Sequence, residues 1–167
     1  FLDVTEGVGL AALGAQNTNG PGLADIDNDG DLDLLIATPT LLFLNQGDGT
    51  FIEATSGSGL GPIHSNLSFI DYDRDGFLDV ISGRSTASTG PRGVFRNHGN
   101  GNHWLGVALV GARSNRNGIG ARLFATSGAL RQMREILGGQ KTQDEMGAHF
   151  GLGEHTVVDR LEIHWPS

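Results

Sequence analysis

Two nine-residue stretches hold most of the side chains that could do chemistry, Asp25-Ile26-Asp27-Asn28-Asp29-Gly30-Asp31-Leu32-Asp33 and Asp71-Tyr72-Asp73-Arg74-Asp75-Gly76-Phe77-Leu78-Asp79. In a tight turn, carboxylates at positions 1, 3 and 5 converge on one point. The glycine at 6 supplies the bend, the peptide oxygen at 7 faces inward, and a carboxylate at 9 closes the cage. An all-oxygen set tolerant of roughly six to eight ligands suits a hard divalent ion, and calcium better than magnesium. The expected side-chain ligands are Asp25, Asp27, Asp29 and Asp33 in the first loop and Asp71, Asp73, Asp75 and Asp79 in the second. Asp31 and Phe77, at position 7, are expected to offer only a backbone oxygen, because the residue type there differs between the copies. Two Ca2+ ions follow, one per loop. The alternative is a solvated Asp/Gly turn without an ion; packing four or five carboxylates together uncompensated is repulsive, and the pattern occurs twice.

The elements that position these loops are legible on their C-terminal side. An EF-hand needs a glutamate at position 12, where this chain has Ile36 and Ser82, so that reading fails. Leu32 to Ala37 and Leu78 to Ser82 are apolar runs of strand length, which puts each expected ion at the mouth of a buried strand.

A chain of 167 residues can bury a real core, and none of its stretches approaches a membrane span. It opens at Phe1 with no initiator Met or signal segment, and is read as a processed chain or an excised piece. The 27 glycines follow no three-residue period and fit many short strands and tight turns. With no Cys there is no disulfide framework and no thiol chemistry. Calcium loops imply a calcium-rich compartment, so the expected location is secreted, extracellular or at the cell surface, where bound ions can replace disulfide cross-links. The net charge of -8 is unevenly spread: residues 1–100 carry 13 acids and 4 bases, residues 101–167 carry 6 acids and 7 bases. Nine of the acids lie in the two loops, so the acidity is largely ligand charge and nucleic-acid binding has no electrostatic support.

Internal repetition frames the loops. Phe1 to Leu10 reappears as Phe51 to Leu60, the loops are offset by 46 residues, and Phe43-Leu44-Asn45-Gln46-Gly47-Asp48-Gly49 recurs 52 residues on as Phe95-Arg96-Asn97-His98-Gly99-Asn100-Gly101. A period near 50 with several short strands per unit is a propeller-blade pattern. Each unit is read as a strand near Thr5 or Thr55, a loop, the aspartate turn, the buried strand, and a strand ending in an Asn-x-Gly hairpin turn. On the DxDxDGxxD loops and the Asn45 to Phe51 turn, residues 1–100 resemble FG-GAP/VCBS repeats, the blade units of alpha-integrin heads and bacterial surface proteins. Propellers of that family close with about seven blades, and closure takes at least about four, whereas two units stand here.

Beyond residue 102 the aspartate loops stop and Arg enters short alternating runs. Trp104–Val110, Ile119–Thr126, Leu130–Leu137 and Val158–Trp165 read as strands, with Ser127-Gly128 a hairpin turn. The 131–136 run has helical propensity but is read as strand, from its length and neighbours. Gly101 to Leu105, Ser114 to Ala121, His149-Phe150-Gly151-Leu152-Gly153 and Trp165-Pro166-Ser167 occur in the order of the ASPIC/UnbV domain, which this segment resembles and which follows such repeats in many bacterial secreted proteins. The resemblance implies a small antiparallel β-sandwich. The expected fold is thus all-β, with two calcium-binding propeller-blade-like repeats (about 1–50 and 51–101) and a C-terminal antiparallel β-sandwich over 102–167.

No catalytic constellation competes with the loops. His103, His149, His155 and His164 lack the short spacings of a zinc site, and His149 to Gly153 is read as a glycine turn with His149 hydrogen-bonded beneath it. No Ser sits in a Gly-x-Ser-x-Gly elbow. Ser114 to Gly118 is read as a polar loop rather than an anion or sugar site, and Trp104 and Trp165 as core rather than sugar-stacking residues. The Asn66-Leu67-Ser68 sequon and the hydroxyl-rich 85–91 stretch are weak glycosylation signals. The expected role is non-enzymatic, structural or adhesive. Two open blades expose sheet edges, which favours self-association, even a filament. The alternatives are a calcium-dependent recognition module for a glycan or surface protein, and an accessory domain of a secreted enzyme.

Overall fold

The computed structural model describes residues 1–14, 18–63, 67–83, 93–113, 115–138 and 146–166. Asn66 of the sequon, the 85–91 stretch, Ser114 and Ser167 lie outside them. The fold is all-β: twelve strands are present among the described residues, every pairing is antiparallel, and the one helical element is a 3-10 turn at Ala11–Leu13. The chain forms two compact units. One comprises Phe1–Ile26, Asp31–Tyr72 and Leu78–Asn97; the other comprises Asp27–Gly30, Asp73–Phe77 and His98–Ser167.

The first unit contains two meander sheets. β1 (Asn19–Ala24), β2 (Asp33–Thr38), β3 (Leu41–Asn45) and β4 (Phe51–Glu53) pair in that order, as do β5 (Leu67–Ile70), β6 (Asp79–Ser82) and β7 (Gly93–Phe95). β2 and β6 are the expected buried strands: Leu35 and Ala37 are fully buried, and Val80 nearly so. They share one core with Leu42, Ile63 and Leu67, against which Ile26, Leu44, Phe69 and Phe95 pack. The 46–50 segment is the expected hairpin turn between β3 and β4, closed by Gln46 N–H to Thr50 O at 3.0 Å and by Asp48 accepting from Thr50 N–H at 2.9 Å.

The strand expected near Thr55 is β4, whereas no strand forms near Thr5; both threonines themselves sit in turns, because Asp3 and Glu53 accept the N–H of the threonine two residues on, at 3.0 and 2.9 Å, and such local bonds compete with a ladder. The strand that precedes each aspartate loop is instead β1 or β5. β1 reads Asn-Gly-Pro-Gly-Leu-Ala, a poor strand by propensity, yet it lies at a sheet edge, where Pro21 removes no interior ladder bond. Gly22 is required there because a Cβ would stand 2.7 Å from Phe69 Cε2.

The second unit is a small sandwich. β10 (Leu130–Glu135), β9 (Arg122–Ser127) and β12 (Arg160–His164) form one sheet, and β11 (Ala148–Gly153) with β8 (His103–Val107) the other. Alternation along β9 points Leu123 and Ala125 into a core with Ile136, Ala148, Phe150 and Leu152, while Phe124 and Thr126 turn outward. The 131–136 run is strand through Glu135, as expected, because its β9 partners fix period 2. His149 to Gly153 is strand rather than turn: it pairs with β8, and a bulge between Gly151 and Gly153 absorbs the glycine that suggested a turn. Gln132 on β10 donates to Gly151 O at 2.6 Å and Arg134 donates to His149 O at 3.1 Å, so polar side chains complete the backbone bonding of β11.

Trp104 is not core. It is 41% exposed, as is Trp165, and it lies over the tip of the second aspartate loop. A Cβ on Gly76 would be 1.6 Å from Trp104 Nε1, and Gly76 has φ 92°. Gly76→Ala is expected to cost about 2–4 kcal/mol, combining left-handed strain with overpacking. Gly49→Ala, at φ 88° with nothing within 4 Å of the added Cβ, is expected to cost only about 1 kcal/mol. Denaturant melts of the two variants check this; equal losses would contradict the close approach of Trp104.

Candidate metal centres in two aspartate loops

Each loop brings three carboxylates together. Oxygens of Asp25, Asp27 and Asp29 lie within 4.8 Å of one another, as do those of Asp71, Asp73 and Asp75. The sharp bend comes from positive φ at two positions per loop: Asn28 at 58° and Gly30 at 104°, then Arg74 at 63° and Gly76 at 92°. Left-handed backbone at position 4 and again at position 6 coils the chain so that alternate side chains point inward, and Asn is among the few residues other than Gly that accept it readily.

The position-9 aspartates have a different place from those at positions 1, 3 and 5. Asp33 is fully buried; its Oδ2 accepts Ile26 N–H at 2.8 Å and its Oδ1 accepts Asn45 N–H at 2.9 Å. Asp79 repeats this, with Tyr72 N–H at 3.1 Å and Asn97 N–H at 2.7 Å. Each carboxylate ties position 2 of its own loop to a strand or turn residue far along the chain. A carboxylate oxygen that accepts one N–H retains a second lone pair, so this role is compatible with metal ligation. Asp31 is half-buried; a Cβ on Gly47 would lie 2.7 Å from its Oδ2, so its side chain is turned toward the 46–50 turn.

The donor chemistry fits a hard cation. Three clustered carboxylates and a buried fourth, all oxygen, suit calcium; no His or Cys belongs to either cluster. The two loops differ in exposure: Asp25 is buried and Asp27 and Asp29 are half-buried, whereas Asp73 and Asp75 are exposed. Clustered charge is the more costly in the first loop, where water compensates it less.

Sequence reasoning missed the residues that hold the loop tips within the second unit. Asn28 is fully buried: its Nδ2 donates to Gly76 O at 2.8 Å, its backbone O accepts Gly153 N–H at 2.7 Å, and its Oδ1 lies 2.7 Å from His149 Nε2. Because the amide N–H faces Gly76, Oδ1 faces the imidazole, and His149 must donate from Nε2. Asn100 and Asn102 each donate to Asp27 O at 2.8 Å. Trp104 stacks on His149 with ring centroids 6.0 Å apart. The available signal was Asn at a left-handed position combined with a motif histidine; position 4 holds Asn in one loop and Arg in the other, so the repeat does not single it out.

Burial, with the Arg134 guanidinium nearby, lowers the His149 imidazole from 6.5 to about 4. The folded chain therefore keeps His149 neutral where the unfolded chain protonates it. The stability this supplies is complete above about pH 6.5 and is lost as pH falls toward 4, on the order of 3 kcal/mol in all. Denaturation across that window at fixed calcium should show the parent losing more stability than His149→Gln, whose side chain does not titrate. Equal acid slopes would contradict the assignment.

Comparison with known proteins finds two family models on separate parts of the chain. Residues 25–82 match the FG-GAP-like repeat model, and residues 111–167 match the ASPIC and UnbV model. Cartilage acidic protein 1 of Homo sapiens is 31% identical over 160 residues, covering 86% of this chain and 24% of its own length, and the Mus musculus protein matches to the same extent. The Xenopus tropicalis protein is 35% identical over 48 residues, 27% of this chain and 7% of that protein. The chain spans about a quarter of the length of the first two relatives. It carries, in this order, a segment of the FG-GAP-like repeat family and a segment of the ASPIC and UnbV family.

Proposed function

We propose that this chain is a non-enzymatic, calcium-binding extracellular module with a structural or adhesive role, built from two repeats over about 1–50 and 51–101 and a sandwich over 102–167. One observation carries the reading: a DxDxDGxxD loop occurs twice and gathers three carboxylate oxygens within 4.8 Å each time. Each loop takes one Ca2+. Asp25, Asp27, Asp29 and Asp33 hold the first ion with the backbone oxygen of Asp31; Asp71, Asp73, Asp75 and Asp79 hold the second with that of Phe77. The ion neutralises charge that would otherwise repel, and it fixes the mouths of β2 and β6.

An extracellular setting is supported by the calcium requirement, which the cytosol does not meet, and by relatives whose name places them in cartilage. No helix among the described residues is long and apolar enough to cross a membrane. Self-association is supported by the edge strand β1, with Leu23 61% exposed, and by Ile52 on β4, 56% exposed; the β4 edge itself carries the 1–10 segment, Phe51 N–H donating to Val8 O at 2.9 Å. A second reading, calcium-dependent recognition of a glycan or surface protein, is favoured by the half-exposed indoles of Trp104 and Trp165.

Calcium should raise the melting temperature and a chelator should lower it. Asp27→Ala or Asp73→Ala should each cost about 2–4 kcal/mol near calcium saturation. Melting unchanged by chelator, or variants that melt like the parent, would contradict the calcium role. Light scattering with calcium and then with excess chelator separates the two readings of partner. Large species that dissociate in chelator support self-assembly, whereas a monomer in both conditions supports the recognition module.

A further inference from the structure

The tips of the two aspartate loops meet within the second unit through one side chain. Asn28 stands between Asp27 and Asp29 of the first loop, and its Nδ2 donates to the backbone oxygen of Gly76, which precedes the expected position-7 ligand of the second loop. Nothing about this amide is loose: it is fully buried, its oxygen is engaged by His149 Nε2, and its own backbone oxygen is engaged by Gly153 N–H. Both neighbouring tips are roofed by the same sandwich. Leu130 closes on Gly30, where a Cβ would lie 2.8 Å from Leu130 Cδ1, and Trp104 closes on Gly76.

We infer that Asn28 is a positioning residue that couples the two ion sites, so that calcium in one loop raises the affinity of the other. This inference rests on reading both loops as calcium sites. An ion held by Asp27 and Asp29 fixes the backbone between them and therefore the direction of the Asn28 amide. The fixed amide orders Gly76 and Phe77 before the second ion arrives, so the second ion meets a smaller ordering cost, and the effect is reciprocal. The sign of the coupling identifies its origin. Two cations repel, so electrostatics alone gives coupling that is negative or, with screening, absent. The amide bridge gives positive coupling.

Calorimetric titration of the 167-residue chain with calcium tests this, using the parent, Asp27→Ala to leave the second loop, and Asp73→Ala to leave the first. The product of the two parent affinities should exceed the product of the single-loop affinities by about 5- to 100-fold. Asn28→Gly keeps the left-handed backbone at no steric cost and removes the amide, and should bring the ratio within about 2-fold of unity. Asn28→Asp keeps an acceptor for His149 and loses the donor to Gly76, and should also uncouple the sites, which guards against a glycine variant that fails to fold. Parent affinities equal to the single-loop values, or coupling that survives either substitution, would overturn the role of Asn28 and leave the calcium reading intact. A parent that takes up no calcium would overturn both.

Discussion

Each blade-like sheet depends on a buried aspartate whose two oxygens accept backbone N–H groups from distant parts of the chain. Asp33 joins Ile26 N–H to Asn45 N–H, and Asp79 joins Tyr72 N–H to Asn97 N–H. A carboxylate in that position is a strong, charge-assisted acceptor, but it has left water to take it. That cost would fall with a cation nearby, and the carboxylates at positions 1, 3 and 5 of each loop gather within 4.8 Å of one another, as a cation site requires. The asparagines that follow complete the arrangement: Asn45 Nδ2 donates to Leu32 O and Asn97 Nδ2 to Leu78 O, so the same fastening occurs twice despite unequal spacing in sequence. Loop, buried strand and following turn therefore form one unit of construction.

The features that were legible in the sequence are those whose cause is local. Alternating aspartates before a glycine declare a tight acidic turn, and the apolar run after Asp33 or Asp79 declares a buried strand. The repeat made both statements twice. The strand nature of Arg131 to Glu135 followed from the strands beside it, since propensity alone favours helix there.

What was not legible has distant causes. β1 carries Gly22 because Phe69 packs onto it, and no local pattern announces that. β11 contains two glycines that suggested a turn; its pairing with β8 makes it a strand, with Gly151 opposite Trp104. Trp104 looked like core by size, but its work is to cover Gly76 and stack on His149 while remaining half-exposed. The other loop has Arg74 where the first has Asn28, so the repeat does not mark this residue, and only the folded chain brings its amide to Gly76 O. In each case the residue answers to a partner tens of positions away, which no local pattern announces.

On the calcium reading, a cation in each aspartate loop secures the backbone bonds of Asp33 and Asp79. Amide hydrogen exchange followed residue by residue, in calcium and then in chelator, addresses those bonds themselves. The N–H groups of Ile26, Asn45, Tyr72 and Asn97 should be strongly protected in calcium and lose protection together once it is removed, while the sandwich core around Leu123 and Phe150 changes far less. Equal protection of those four amides in both conditions would contradict the claim, because the aspartates would then hold the loops without an ion.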